Sequence, residues 1–131
     1  MKITIIGISK TTDYIIDKII NHSDDISVYS DNRDFNFENK NLNNNIEIFS
    51  GIDLEENIEK ISESSDIVFL LSESDPFNSF SYQKIININP NKKIVMLISD
   101  KEIFDMYKEK KYSVISPFSI DENDFSYLIK E

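Results

Sequence analysis

The stretch ITIIGISKTTDYII, residues Ile3 to Ile16, sets the reading of the whole chain. An apolar run reaches a single glycine, Gly7, and passes directly into a pattern of helical period, with Ile15, Ile16, Ile19 and Ile20 on one stripe. A strand, a tight turn and a helix is the context in which a phosphate-cradling G-x-G-x-x-G turn occurs. Only the first glycine is present; Ser9 and Thr12 stand at the second and third positions. Gly7 supplies the cheap positive-φ turn. Ser9 adds a Cβ and a hydroxyl where backbone would approach a pyrophosphate, and Thr12 adds bulk where helix and strand pack closely. Lys10, Ser9 and Thr11 offer a cation and hydroxyls to a phosphate at the helix N-terminus. The plain alternative is a strand–helix turn with Thr11 or Thr12 as N-cap.

The rest of the chain repeats this unit. Short β-rich runs at Lys2–Ile6, Ile26–Tyr29, Ile46–Phe49, Ile67–Leu71, Lys93–Ile98 and Ser113–Ile115 alternate with helical patterns. Runs such as IVFLL and IVMLI are apolar on both faces, as parallel strands covered on both sides require. Helix starts are expected at Asp53 with Glu56, at Asp75 followed by Pro76, at Ser99 with Glu102, and at Asp121 ahead of Phe125, Leu128 and Ile129. The polar, Asn-rich interval DNRDFNFENKNLNNN, Asp31 to Asn45, reads as a loop with a short helix around Phe35–Lys40. The alternation predicts an α/β fold: one domain over residues 1–131, a doubly wound parallel sheet of about six strands with helices on both faces.

Composition narrows the function. The 131 residues carry 40% hydrophobic and 11% aromatic content, enough for a packed core. There is no apolar run of about 18 residues, and MKITIIG is too short for a secretory leader, so the expected location is the cytoplasm. A formal charge of −10 counts against nucleic acid, whose phosphates need clustered Lys and Arg. It does not count against a small anion held by one local cation and a helix tip. With no cysteine and one histidine, His22, a metal site is not expected, and no nucleophile–base pair is suggested by spacing. Catalysis is therefore not expected. A receiver-type phosphoacceptor is also excluded, because Ile8 and Ser50 occupy the regions where it needs acids.

In a sheet of this kind, ligands bind beyond the carboxyl ends of the strands. The acid that grips ribose hydroxyls belongs at the end of the second strand, where ISVYSDNRD offers Ser30 or Asp31; register decides between them, and a solvated aspartate is the alternative. Gly51 and Asp53 follow the third strand. Ser72 and Glu73 follow the fourth, in LLSESDPFN, either as ribose or adenine contacts or as part of an N-cap cluster.

The chain resembles the N-terminal Rossmann-like domain of the Trk/Ktr potassium-uptake regulators and of the RCK domains of potassium channels (TrkA-N). The resemblance rests on MKITIIG, on IFSGID (Ile48 to Asp53), on DIVFLLSESDPFN with Asn78 in place, and on KKIVMLISDKEIFDMYKEKKYSVISP, Lys92 to Pro117. It implies a regulatory nucleotide-binding domain of a potassium transport system. The implied ligands are NAD(H), ATP or ADP. The implied partners are a membrane transporter or channel subunit and a second copy of the chain, in dimers or larger rings. Gly7 matches the family's first glycine, Lys10 its basic residue and Ser72 its hydroxyl after the fourth strand. Ser9 and Thr12 depart from its glycines, and Leu97 lies where many members carry an arginine. The family's C-terminal ligand-sensing domain is expected to be absent. A different class of function, a Rossmann-like interaction module that has lost nucleotide binding, predicts a crevice plugged by Ile8, Ser9, Thr12 and Leu97. An oxidoreductase domain would need a substrate domain that this length does not provide.

Overall fold

A computed structural model describes residues 1–20, 22, 25–31, 46–120 and 125. Among these lie strands β1 (Lys2–Ile6), β2 (Asp25–Tyr29), β3 (Ile46–Phe49), β4 (Ile67–Leu70), β5 (Lys93–Leu97) and β6 (Val114–Ile115). Between them run helices α1 (Lys10–Ile19), α2 (Leu54–Glu63), α3 (Asp75–Ile88) and α4 (Lys101–Glu109). The helix expected near Phe35–Lys40 lies outside the described residues, as does all of the expected last helix except Phe125.

The six strands form one parallel sheet in the order β3-β2-β1-β4-β5-β6. Strand order reverses beside β1, which is flanked by β2 and β4. This is the doubly wound, Rossmann-like arrangement, with its switch point between β1 and β4. Alternate residues of the inner strands β1, β2, β4 and β5 feed two separate cores, because side chains point to opposite faces. On one face Ile3, Ile5, Ile26, Val28, Ile67 and Phe69 meet Ile15, Ile16 and Ile19 of α1. Phe125 completes that face, edge-on to Phe69 with ring centroids 5.9 Å apart. On the other, Ile6, Val68, Leu70, Ile94 and Met96 meet Leu54, Ile58 and Ile61 of α2, Ile85 of α3 and Tyr107 of α4. Burying each of these large side chains stabilises the fold by about 1.5–3 kcal/mol. That explains why β4, buried at every position, reads as an unbroken apolar run.

Strand limits differ from the sequence reading by no more than one residue. Helix starts need correcting at three of the four described helices. Ser9, not Thr11 or Thr12, caps α1; Ser74, not Asp75, caps α3; Asp100, not Ser99, caps α4. Asp53 caps α2 as expected, accepting the Glu56 amide at 3.2 Å. The displaced residues are used elsewhere. Thr12 closes a reciprocal box at α1, and Asp75 bridges to another loop, as described below.

The α4 terminus holds Lys111 at φ 65, the left-handed conformation. Two backbone bonds close it, Tyr112 N–H to the Tyr107 carbonyl and Lys111 N–H to the Lys108 carbonyl, each 3.0 Å. This is a Schellman motif with a lysine where glycine is preferred. The accompanying apolar contact is aromatic: Tyr107, Tyr112 and Tyr82 stack in sequence, at 5.1 and 5.0 Å between ring centroids.

Candidate functional site

The turn after β1 is built tightly. Gly7 adopts φ 88, and its amide donates to the Tyr29 carbonyl at 2.9 Å. The Ser9 hydroxyl accepts from the Thr11 amide at 3.2 Å, and Thr12 Oγ1 accepts from the Ser9 amide at 3.0 Å. The Thr12 amide in turn bonds the Ser9 carbonyl at 3.1 Å. Three amides at the tip of α1 are thus satisfied by the chain itself, two of them by the side chains that replace glycines. Thr11 and Thr12 are buried beneath the turn, while Lys10, the first helical residue, is exposed.

On the β4 side the carboxyl edge of the sheet is closed by a side-chain lattice. Asn78, fully buried, donates through Nδ2 to the carbonyls of Ser72 and Leu97, both at 2.8 Å, and accepts the Ser72 amide at 3.2 Å. It ties the chain leaving β4 to the end of β5. Asp75 accepts the Ser99 and Asp100 amides through its two carboxylate oxygens, at 2.8 and 2.9 Å, binding the start of α3 to the loop before α4. The Ser72 hydroxyl accepts the Ser74 amide at 3.1 Å, and Glu73 beside it is exposed.

On the β2–β3 side the described residues make no such closure. The backbone pairing continues past the strand ends, with Ser30 N–H to the Phe49 carbonyl at 2.9 Å and Ile52 N–H to the Ser30 carbonyl at 3.2 Å. That register decides which of Ser30 and Asp31 faces solvent. Ser30 is buried at 2% exposure, and Asp31 emerges on the surface. Asp31 shares a cavity of about 440 Å³ with Gly51, Ile52, Asp53, Glu55 and Phe77, among others. A volume of that size suits a small ligand.

The predicted site residues therefore separate into groups. Asp31, Gly51 and Asp53 come together in one cavity; Gly7, Ser9, Lys10, Thr11 and Thr12 form the neighbouring turn and are not among its lining; Ser72 and Glu73 belong to the closed side. Sequence reasoning missed Ile52, Glu55 and Phe77. The only local signal was for Phe77, which follows Asp-Pro at a helix start, and that signal says nothing of where the ring goes. It also missed Asn78 and Asp75 as closures, because the distant ends they tie down, Leu97, Ser99 and Asp100, lie 19 to 25 residues away. Of the expected plug, Thr12 and Leu97 are buried in the interior, and Ile8 is half-buried against the α1-side core.

A second cavity, about 360 Å³, lies at the amino edge between Ser65, Asp66, Asn89, Asn91 and Lys92. Among the described residues no three His, Asp or Glu side chains are grouped to hold a metal ion. No described helix is long and apolar enough to cross a membrane. No model of a known protein family matches the chain, and no curated protein matches it.

Proposed function

We propose that this chain is a regulatory domain that binds an adenine nucleotide, NAD(H), ATP or ADP, and serves a potassium transport system. The observation that carries the nucleotide part is the cavity beyond the carboxyl ends of β2 and β3, with Asp31 at its rim two residues after the end of β2. In a sheet of this order that is where a nucleoside lies, with an acid after the second strand accepting from the ribose hydroxyls. Phe77 and Ile52 offer apolar surface for a base. The potassium-transport part, with a membrane transporter or channel subunit and a second copy of the chain as partners on the cytoplasmic side, rests on the resemblance to TrkA-N domains. In this reading the domain catalyses nothing; ligand binding shifts an equilibrium between arrangements of an assembly.

Isothermal titration against NAD, NADH, ATP, ADP and AMP tests it. Binding to at least one, weakened tenfold or more by Asp31→Ala, is the expected result. Flat traces at millimolar concentration eliminate it.

One observation favours a second reading, a module whose nucleotide site has decayed and whose surface binds a partner. The α1 tip amides that would meet a pyrophosphate are bonded to Ser9 and Thr12. If decay is the history, the Ser9→Gly/Thr12→Gly double variant gains nucleotide affinity that the unaltered chain lacks.

A further inference from the structure

The two halves of the carboxyl edge are not equivalent, and that asymmetry limits what the site can hold. A dinucleotide lies across the switch point, one nucleoside over each half, with its pyrophosphate on the α1 tip. Here the half over β4 and β5 is bridged by Asn78 between Ser72 and Leu97, and by Asp75 to Ser99 and Asp100. The middle is closed too. A Cβ placed on Gly7 would sit 2.7 Å from the Ser72 amide nitrogen, so the β1 turn and the chain leaving β4 are in direct contact. Three of the tip amides, those of Ser9, Thr11 and Thr12, already have partners. Among the described residues, the β2–β3 half lacks such bridges and holds the cavity, whose rim carries Asp31, Asp53 and Glu55. Carboxylates at close range disfavour phosphate oxygens, more so at low salt.

Building on the nucleotide-site reading above, we infer that the cavity takes one nucleoside, ribose and base, and holds none of its phosphates. Asp31 accepts from the ribose hydroxyls, and the base lies against Ile52 and Phe77. Any phosphate extends toward solvent past the acidic rim, and a second nucleoside has no seat. The recognised part of the ligand is therefore the adenosine moiety that NAD(H), ATP and ADP share, and each added phosphate weakens binding.

Titration of the full chain with adenosine, AMP, ATP and NAD, at about 20 mM and 300 mM salt, tests this. Adenosine is expected to bind at least tenfold more tightly than ATP or NAD at low salt, with a smaller ratio at high salt. In Asp31→Asn, which keeps an acceptor but removes a charge, the adenosine-to-ATP ratio falls severalfold. ATP or NAD binding more tightly than adenosine overturns the inference while leaving a nucleotide site in place. An adenosine-to-ATP ratio that neither salt nor Asp31→Asn moves overturns the role of the rim. No binding by any of the four removes both the inference and the reading beneath it.

Discussion

Gly7 and Ser72 touch backbone to backbone: a Cβ on Gly7 would lie 2.7 Å from both the Cβ and the amide nitrogen of Ser72. The contact follows from the sheet, since Ile6 pairs with Leu70 and the Leu71 amide bonds the Ile6 carbonyl, bringing the two exits side by side. Glycine is thus required twice, for φ 88 and for space. Gly7→Ala is expected to cost roughly 2–4 kcal/mol. Gly51, at φ 72 but exposed, provides the control, with Gly51→Ala costing about 1 kcal/mol. Urea unfolding of both variants measures the difference; equal losses would contradict the contact.

Asn78 makes three hydrogen bonds with no exposed surface. Removing the side chain strands the Ser72 and Leu97 carbonyls, so Asn78→Ala should lose about 3 kcal/mol in denaturant unfolding. Asn78→Asp should lose more, because an acceptor replaces the donor facing two carbonyl oxygens. The ordering Asp worse than Ala distinguishes hydrogen bonding from simple loss of volume.

Lys111 holds a left-handed conformation at the end of α4 that glycine adopts freely. Lys111→Gly is expected to stabilise the domain by about 1 kcal/mol, raising the urea midpoint without changing the slope. A loss of stability would show that the lysine side chain contributes more than its backbone costs.

Ser81, in the middle of α3, is fully buried, and its Oγ has no hydrogen-bond partner among the described residues. An unsatisfied buried hydroxyl is unfavourable, so Ser81→Ala should leave stability unchanged or raise it by up to about 1 kcal/mol. Thermal unfolding checks this; a fall of several degrees would contradict it.

Much of the fold was legible in one dimension. β1 and β3 matched their sequence limits, and the others were displaced by a single residue; for the inner strands this is because doubly buried strands must be largely apolar and are bounded where that run stops. Helix caps were less legible. Near each start the sequence offers several competent groups, such as Ser9, Thr11 and Thr12, or Ser74 and Asp75. Which one caps depends on where the last strand pair releases the chain.

The candidate site was legible only in part. Asp31, Gly51 and Asp53 were recognisable as residues following strands and do share a cavity. Whether Ser30 or Asp31 would face solvent was undecidable locally, since one step of strand register exchanges the two. Asp75 illustrates the same limit: its charge suits a helix N-terminus, yet its carboxylate goes to amides 24 and 25 residues further on.

By itself, the sequence determined the alternation of strand and helix, the parallel sheet and the position of the β1 turn, because burial on two faces and helical period are written in neighbouring residues. The tertiary structure decided which amides of that turn are already bonded, which half of the sheet's edge is closed and which acid reaches the rim. Those outcomes depend on pairings between segments far apart in the chain, and no local pattern encodes them.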